Sequence, residues 1–213
     1  MRASDPSSWP PVPMWNQPVP GQSERAPVVW LVGAHGGAGV SYVAGSIGFA
    51  GDAGQRWPGM VGLRQGLDSP LVVLVGRTHM HGLAALHTAL LSHMHAASPA
   101  GVHLLGMLTV ADTDRPLSRP AVTRRDTIES LARDLGAVPW RLGWVEPWRS
   151  LERHELPSWT PEHGAVRIGE RDATRIPPAP VQGLAEQMFA TARSAVTTLR
   201  KRHTASGGEA AAG

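Results

Sequence analysis

Apolar residues gather into short unbroken runs at 28–32 and 71–75 and into less pure ones at 102–110 and 138–142, separated by stretches in which apolar positions recur at helical spacing. Runs this short, without polar alternation, read as strands of a parallel sheet buried on both faces. The intervening stretches predict helices over 40–50, 82–95 and 124–135, and Leu184, Met188, Ala192, Ala195 and Leu199 draw an apolar stripe along a last helix at 181–202. Strand and helix in alternation demand right-handed crossovers. The expected fold is therefore α/β, a mostly parallel sheet with helices on both faces. Residues 51–69 read as a glycine-rich connection. The Pro-, Ser- and Gln-rich residues 1–26 and the tail 203–213 are expected to be disordered, which leaves one domain over 27–202.

Composition narrows the chemistry. The 213 residues, 42% hydrophobic, suffice for one core. With no cysteine there is no disulfide framework, thiolate nucleophile or zinc ribbon. No window reaches membrane-spanning length and no apolar signal core opens the chain, so a cytoplasmic protein without a membrane partner is expected. The formal charge of +3 is carried almost wholly by arginine, because Lys201 is the only lysine.

That single lysine matters at the first strand-to-helix junction. Gly33-Ala34-His35-Gly36-Gly37-Ala38-Gly39-Val40-Ser41 has the frame of a phosphate-binding loop. In such a loop main-chain N–H groups cradle phosphates, a lysine neutralises them and the next hydroxyl holds Mg²⁺. Ser41 stands at the hydroxyl position, but Val40 replaces the lysine and Ala34 the opening glycine. A tight glycine turn that packs without binding anything is the alternative.

The run His35–Ser41 resembles the deviant Walker A box, K-G-G-x-G-K-[ST], of the ParA/MinD group of P-loop ATPases, with both lysines changed, to His35 and Val40. Together with 72–83, Val110-Ala111-Asp112 and Pro147-Trp148-Arg149, it resembles an uncharacterised actinobacterial family of ParA-like proteins whose loop has decayed. The resemblance spans roughly residues 27–150 and implies a reduced P-loop NTPase-like domain, from a mobile-element or partitioning context. It implies ATP or GTP with Mg²⁺ as the ligand, met by His35, Gly36, Gly37, Ala38, Gly39, Val40, Ser41, Arg77 and Asp112. The acidic Mg²⁺ partner that closes a strand in that group is missing after 71–75, which runs into Gly76-Arg77-Thr78. Asp52 and Asp68 fall in the connection.

Other residues carry paired readings. Arg77 replaces the lost lysine or forms a salt bridge with Asp112. Asp112-Thr113-Asp114-Arg115-Pro116 holds a metal or sugar hydroxyl, or is an ordinary turn. His79, His81, His93 and His95 lack the spacing of a metal site and read as surface and cap residues. Arg115, Arg119, Arg124 and Arg125 form a nucleic-acid patch or a solvated helix start. Trp9 and Trp15 in a proline-rich segment form a docking peptide or a strap folded onto the domain. Trp144 and Trp148 lie in an extended loop as a second partner surface. Without lysine or acidic partner, the expected function is a non-catalytic scaffold or partner-binding protein, with homodimerisation open and weak nucleotide or phosphate binding retained. The alternatives are an active ATPase or GTPase that uses Arg77 or a partner's arginine, and arginine-mediated nucleic-acid binding.

Overall fold

Residues 29–33 bear no charged side chain and alternate between two apolar environments, which requires cover on both faces of the strand. The computed structural model describes residues 13–20, 26–95, 97–163, 172 and 174–209. Five strands, β2 (Val29–Gly33), β3 (Ala50–Asp52), β5 (Leu71–Arg77), β6 (His103–Val110) and β7 (Val138–Leu142), form one parallel sheet in the order β3-β2-β5-β6-β7. The shorter β1 (Met14–Trp15) and β4 (Trp57–Pro58) pair with each other outside it. Helices α1 (Val40–Ser46), α2 (Met80–Met94), α3 (Arg119–Asp134) and α4 (Ala179–Glu209) complete the chain.

Two separate cores follow from the pleat. Val29, Leu31, Leu71, Val73 and Val75 face α1 and α4. Trp30, Val32, Val72 and Leu74 face α2 and α3. The expected α/β architecture, parallel and covered on both faces, is present. Counting only main-sheet strands, the order is 2-1-3-4-5, one of the two common doubly wound orders. It reverses between β2 and β5, and ligand crevices in such sheets lie outside the carboxyl ends of the strands at that point.

Several boundaries differ from expectation for identifiable reasons. Residues 50–52 lie in a stretch expected to be helix end and connection, yet they form β3, registered Val29 to Ala50 and Leu31 to Asp52. The first helix stops at Ser46 because the chain turns there, with the Ile47 N–H donating to Ala44 O and Gly48 N–H to Trp159 O. Helix α3 starts five residues early, using Pro120 in its first turn, where a missing N–H costs nothing. Helix α4 runs to Glu209, into the tail expected to be disordered.

Residues 13–20 fall inside the N-terminal segment expected to be disordered, and they have a defined place. Trp15 Nε1–H donates to Ala53 O (3.0 Å), its ring carries the Arg56 guanidinium, and Val19 N–H donates to Asp68 Oδ2 (3.0 Å). Val19 and Trp57 join the α2/α3 core. No helix joins β3 to β5, and this strap supplies cover on that side of the sheet. Trp9 lies outside the described residues.

Gly106, in the middle of β6, is where this packing leaves least room. A methyl group there would run into the Trp140 ring and the Val138 carbonyl oxygen of the neighbouring strand. Gly106→Ala is expected to lower stability by about 1–3 kcal/mol, the usual cost of overpacking. Urea unfolding checks this; an unchanged midpoint would show that β7 yields freely.

Candidate functional site

The β2 and β5 ends lie side by side, and the chain leaving each is tied to the other. Ala34 N–H donates to Val75 O (2.8 Å), and Gly33 N–H donates to Gly54 O (2.7 Å) on the far side. Between these ties and α1 the chain turns through Gly37 and Gly39 at φ of 77° and 93°, the left-handed region that glycine enters without strain. The glycines are therefore required by the turn itself.

His35 sits beneath this turn, only 8% exposed. Its Nε2 accepts from the Arg77 main-chain N–H (3.1 Å) and its Nδ1 lies 2.8 Å from Gly36 O. One tautomer satisfies both contacts, the neutral ring protonated on Nδ1. Burial is the main cause that holds its pKa below the ordinary 6.5, and His79, His81 and Arg77 add repulsion. His35 thus braces the loop, with both ring nitrogens spent on main-chain groups.

Arg77 crosses from the end of β5 to the loop. Its Nε donates to Gly37 O (3.2 Å) and its Nη1 to Ala111 O (2.6 Å). Neither bond is the salt bridge with Asp112 that the sequence suggests; Asp112 instead accepts from Thr78 Oγ1 (2.5 Å), while its charge acts on Arg77 through space. Burial lowers the guanidinium's pKa, yet arginine remains a cation. Two carbonyl contacts leave N–H donors to spare in a five-donor fork. A Cβ built on Gly39 would stand 3.4 Å from Nη2, so the guanidinium lies directly against the loop.

On the opposite wall Ser41 Oγ donates to Asp52 Oδ2 (2.6 Å), while Asp52 Oδ1 accepts from Gly54 N–H (2.8 Å). The sequence left Asp52 in a connection; it closes β3 beside the loop hydroxyl. Only a three-residue strand announces it, too short for periodicity to register. Asp68, the other candidate, fastens the N-terminal strap. Val40 is 7% exposed and packs in the α1 core, so the position expected for a lysine carries no charge.

These residues enclose a cavity of about 380 Å³ whose wall includes the loop from Gly36 to Ser41, Asp52, Gln55 and Arg77. Asp112 is not part of that wall. A smaller one of about 110 Å³ lies on the other side of Arg77, between Tyr42, Trp144 and Trp148. Arg77 and Tyr42 line both. The Tyr42 and Trp148 rings lie 5.7 Å apart at a tilt of 53°, and Tyr42 Oη donates to Leu151 O (3.0 Å). Tyr42 was not singled out from sequence, since an isolated tyrosine in a short helix carries no signal.

The remaining candidates scatter. Arg125 and Arg133 turn to Glu129, and Arg141 grips the same carboxylate through Nε and Nη2 (2.6 and 2.7 Å). Glu129 is 2% exposed, so one member of the expected basic patch, Arg125, serves a buried anion; Arg115, Arg119 and Arg124 make no ion pair with it. Among the described residues no group of three His, Asp or Glu side chains could hold a metal ion, and no helix is long and apolar enough to cross a membrane. Comparison with known proteins finds no matching family model, curated protein or solved structure.

Burial holds the pKa of His35, His87 and His93 below 6.5. Their neutral forms favour the fold, a contribution complete above about pH 6.5. It is lost as pH falls from there towards the depressed folded values, because the unfolded chain then binds more protons. Urea midpoints are expected to be level from about pH 8 to 7 and to drop towards pH 5.5. A level midpoint throughout would contradict the assignment of neutral rings.

Proposed function

We propose that this chain is a nucleotide-binding α/β domain, a degenerate relative in design of ParA/MinD-like P-loop proteins, that serves as a non-catalytic scaffold or partner-binding module. The observation that carries the reading is Arg77, a cation laid against a glycine turn at the point where strand order reverses. It stands where an anion entering the loop needs countercharge, and its planar fork suits phosphate oxygens. The aromatic cavity on its other side favours a ligand with a planar ring joined to its phosphates over a bare anion. Ser41 and Asp52 offer paired oxygen donors, which fit the hard-cation chemistry of Mg²⁺ escorting a nucleotide.

Turnover is a different matter. Asp52 is the only carboxylate in the loop wall among the described residues, and both its oxygens are engaged. No free base remains there to orient a water, and phosphoryl transfer depends on such positioning and on charge stabilisation. A second reading, an active ATPase or GTPase, is favoured by one specific observation, the acidic residue beside Ser41. Trp144 and Trp148 then belong to the ligand site rather than to a separate docking surface.

Titration calorimetry with ATP, ADP, GTP and GDP in Mg²⁺ tests the proposal. At least one nucleotide is expected to bind with micromolar affinity, Arg77→Gln to weaken it tenfold or more, and Val40→Lys to strengthen it. Binding by Val40→Lys alone would overturn the reading. Hydrolysis that disappears with Asp52→Asn would establish the second.

A further inference from the structure

Apart from Arg77's own bond to Gly37 O, the loop and this cation are joined through the His35 side chain, and that side chain titrates. His35 links the Gly36 carbonyl, in the turn, to the main-chain N–H of Arg77, at the end of β5. Its ring has little freedom to answer a change of charge in place. Gly82 lies so close that a Cβ there would meet Nε2 at 2.8 Å. The His79 ring stands edge-on at 5.2 Å and the His81 ring at 6.0 Å. His79 is itself pinned, because its Nδ1 accepts the Gly82 N–H (3.0 Å) that opens α2.

We propose that His35 is a proton-operated latch on the anion site: the neutral ring holds the glycine turn and Arg77 in register, and protonation releases both. The inference rests on the reading that the loop takes a nucleotide anion. A proton on Nε2 would point at the Arg77 N–H, donor against donor, so the bond is lost outright. The new charge would also face three groups of its own sign or capable of it, His79 and His81 from α2 and the Arg77 guanidinium from β5. Only the Gly36 carbonyl, which accepts from Nδ1, favours the charged ring, and no carboxylate joins it: Asp112 acts on Arg77 instead, and Asp52 pairs with Ser41, Gly54 and Arg153. The imidazolium must therefore swing towards water, leaving Gly36 O and the Arg77 N–H without their partner. The Arg77 side chain starts from that same residue, so its hold on Gly37 O loosens with it. A carboxylate near the ring would have made protonation tighten the site; its absence sets the direction. Nucleotide affinity follows the neutral fraction of His35.

The test uses the full chain with Mg²⁺-ADP as probe, wild type against His35→Gln, from about pH 8 to 5.5. Glutamine offers Oε1 to the Arg77 N–H but does not titrate, and the ratio of the two profiles cancels protonation of the nucleotide itself. Wild-type affinity is expected to fall relative to the variant, approaching about tenfold per pH unit below the midpoint. In His79→Gln/His81→Gln that midpoint should move to higher pH, a shift that a merely structural histidine would not give. Parallel profiles for wild type and His35→Gln would overturn the latch. Protection of the Arg77 amide against hydrogen exchange, measured without ligand and taken relative to the intrinsic rate at each pH, is expected to fall along the titration of the His35 ring. An amide that ignores that titration also overturns the proposal. If ADP binds at no pH, the binding reading fails by itself and the amide profile still decides on the latch.

Discussion

Everything at this end of the molecule depends on the lateral pairing of β2 with β5, in which Gly33 stands level with Val75. The next hydrogen bond, from Ala34 N–H to Val75 O, carries the pairing one residue beyond the strand and fixes where the glycine turn begins. From that register Arg77 emerges two residues past Val75, at the height of the turn, and His35 lies within reach of its main chain. A slip of one residue would exchange the two faces of β5 and bury the wrong side of the sheet. The apolar alternation that builds two cores is thus also what aims Arg77. Fold and site share one specification.

Much of this was legible in the sequence, and the limits are physical. The apolar runs gave away four of the five main-sheet strands, most plainly β2 and β5, which are buried on both sides and carry no polar residue before Arg77. The fifth, Ala50–Asp52, was hidden because three residues containing a glycine make no periodic signal. With it went Asp52, so the Ser41 hydroxyl seemed to lack its acidic neighbour. Arg77 was found, but its partner was misjudged: reasoning by charge selected Asp112, whereas the geometry of neighbouring strand ends supplied carbonyl oxygens. Main-chain acceptors are present at every residue and leave no trace in a sequence.

The arginines of α3 show the same limit from the other side. Clustered in the sequence, they suggested an electrostatic surface, yet Arg125 turns with Arg133 to Glu129 on their own helix, where Arg141 of β7 meets the same carboxylate and clamps α3 to that strand. A buried carboxylate gripped by Arg141 at two points is costly to leave unpaired, so Arg125, Arg133 and Arg141 are committed within the molecule. Linear density of charge says little until the acceptors are known.

The N-terminal strap has a bearing on how the chain is made. β1 pairs with β4, and Val19 with Asp68, so a segment synthesised ahead of β2 finds its partners only after some fifty further residues have been added. Docking of this strap therefore waits on chain that follows it, and until it docks the Trp57 side of the core lacks the cover that Val19 gives.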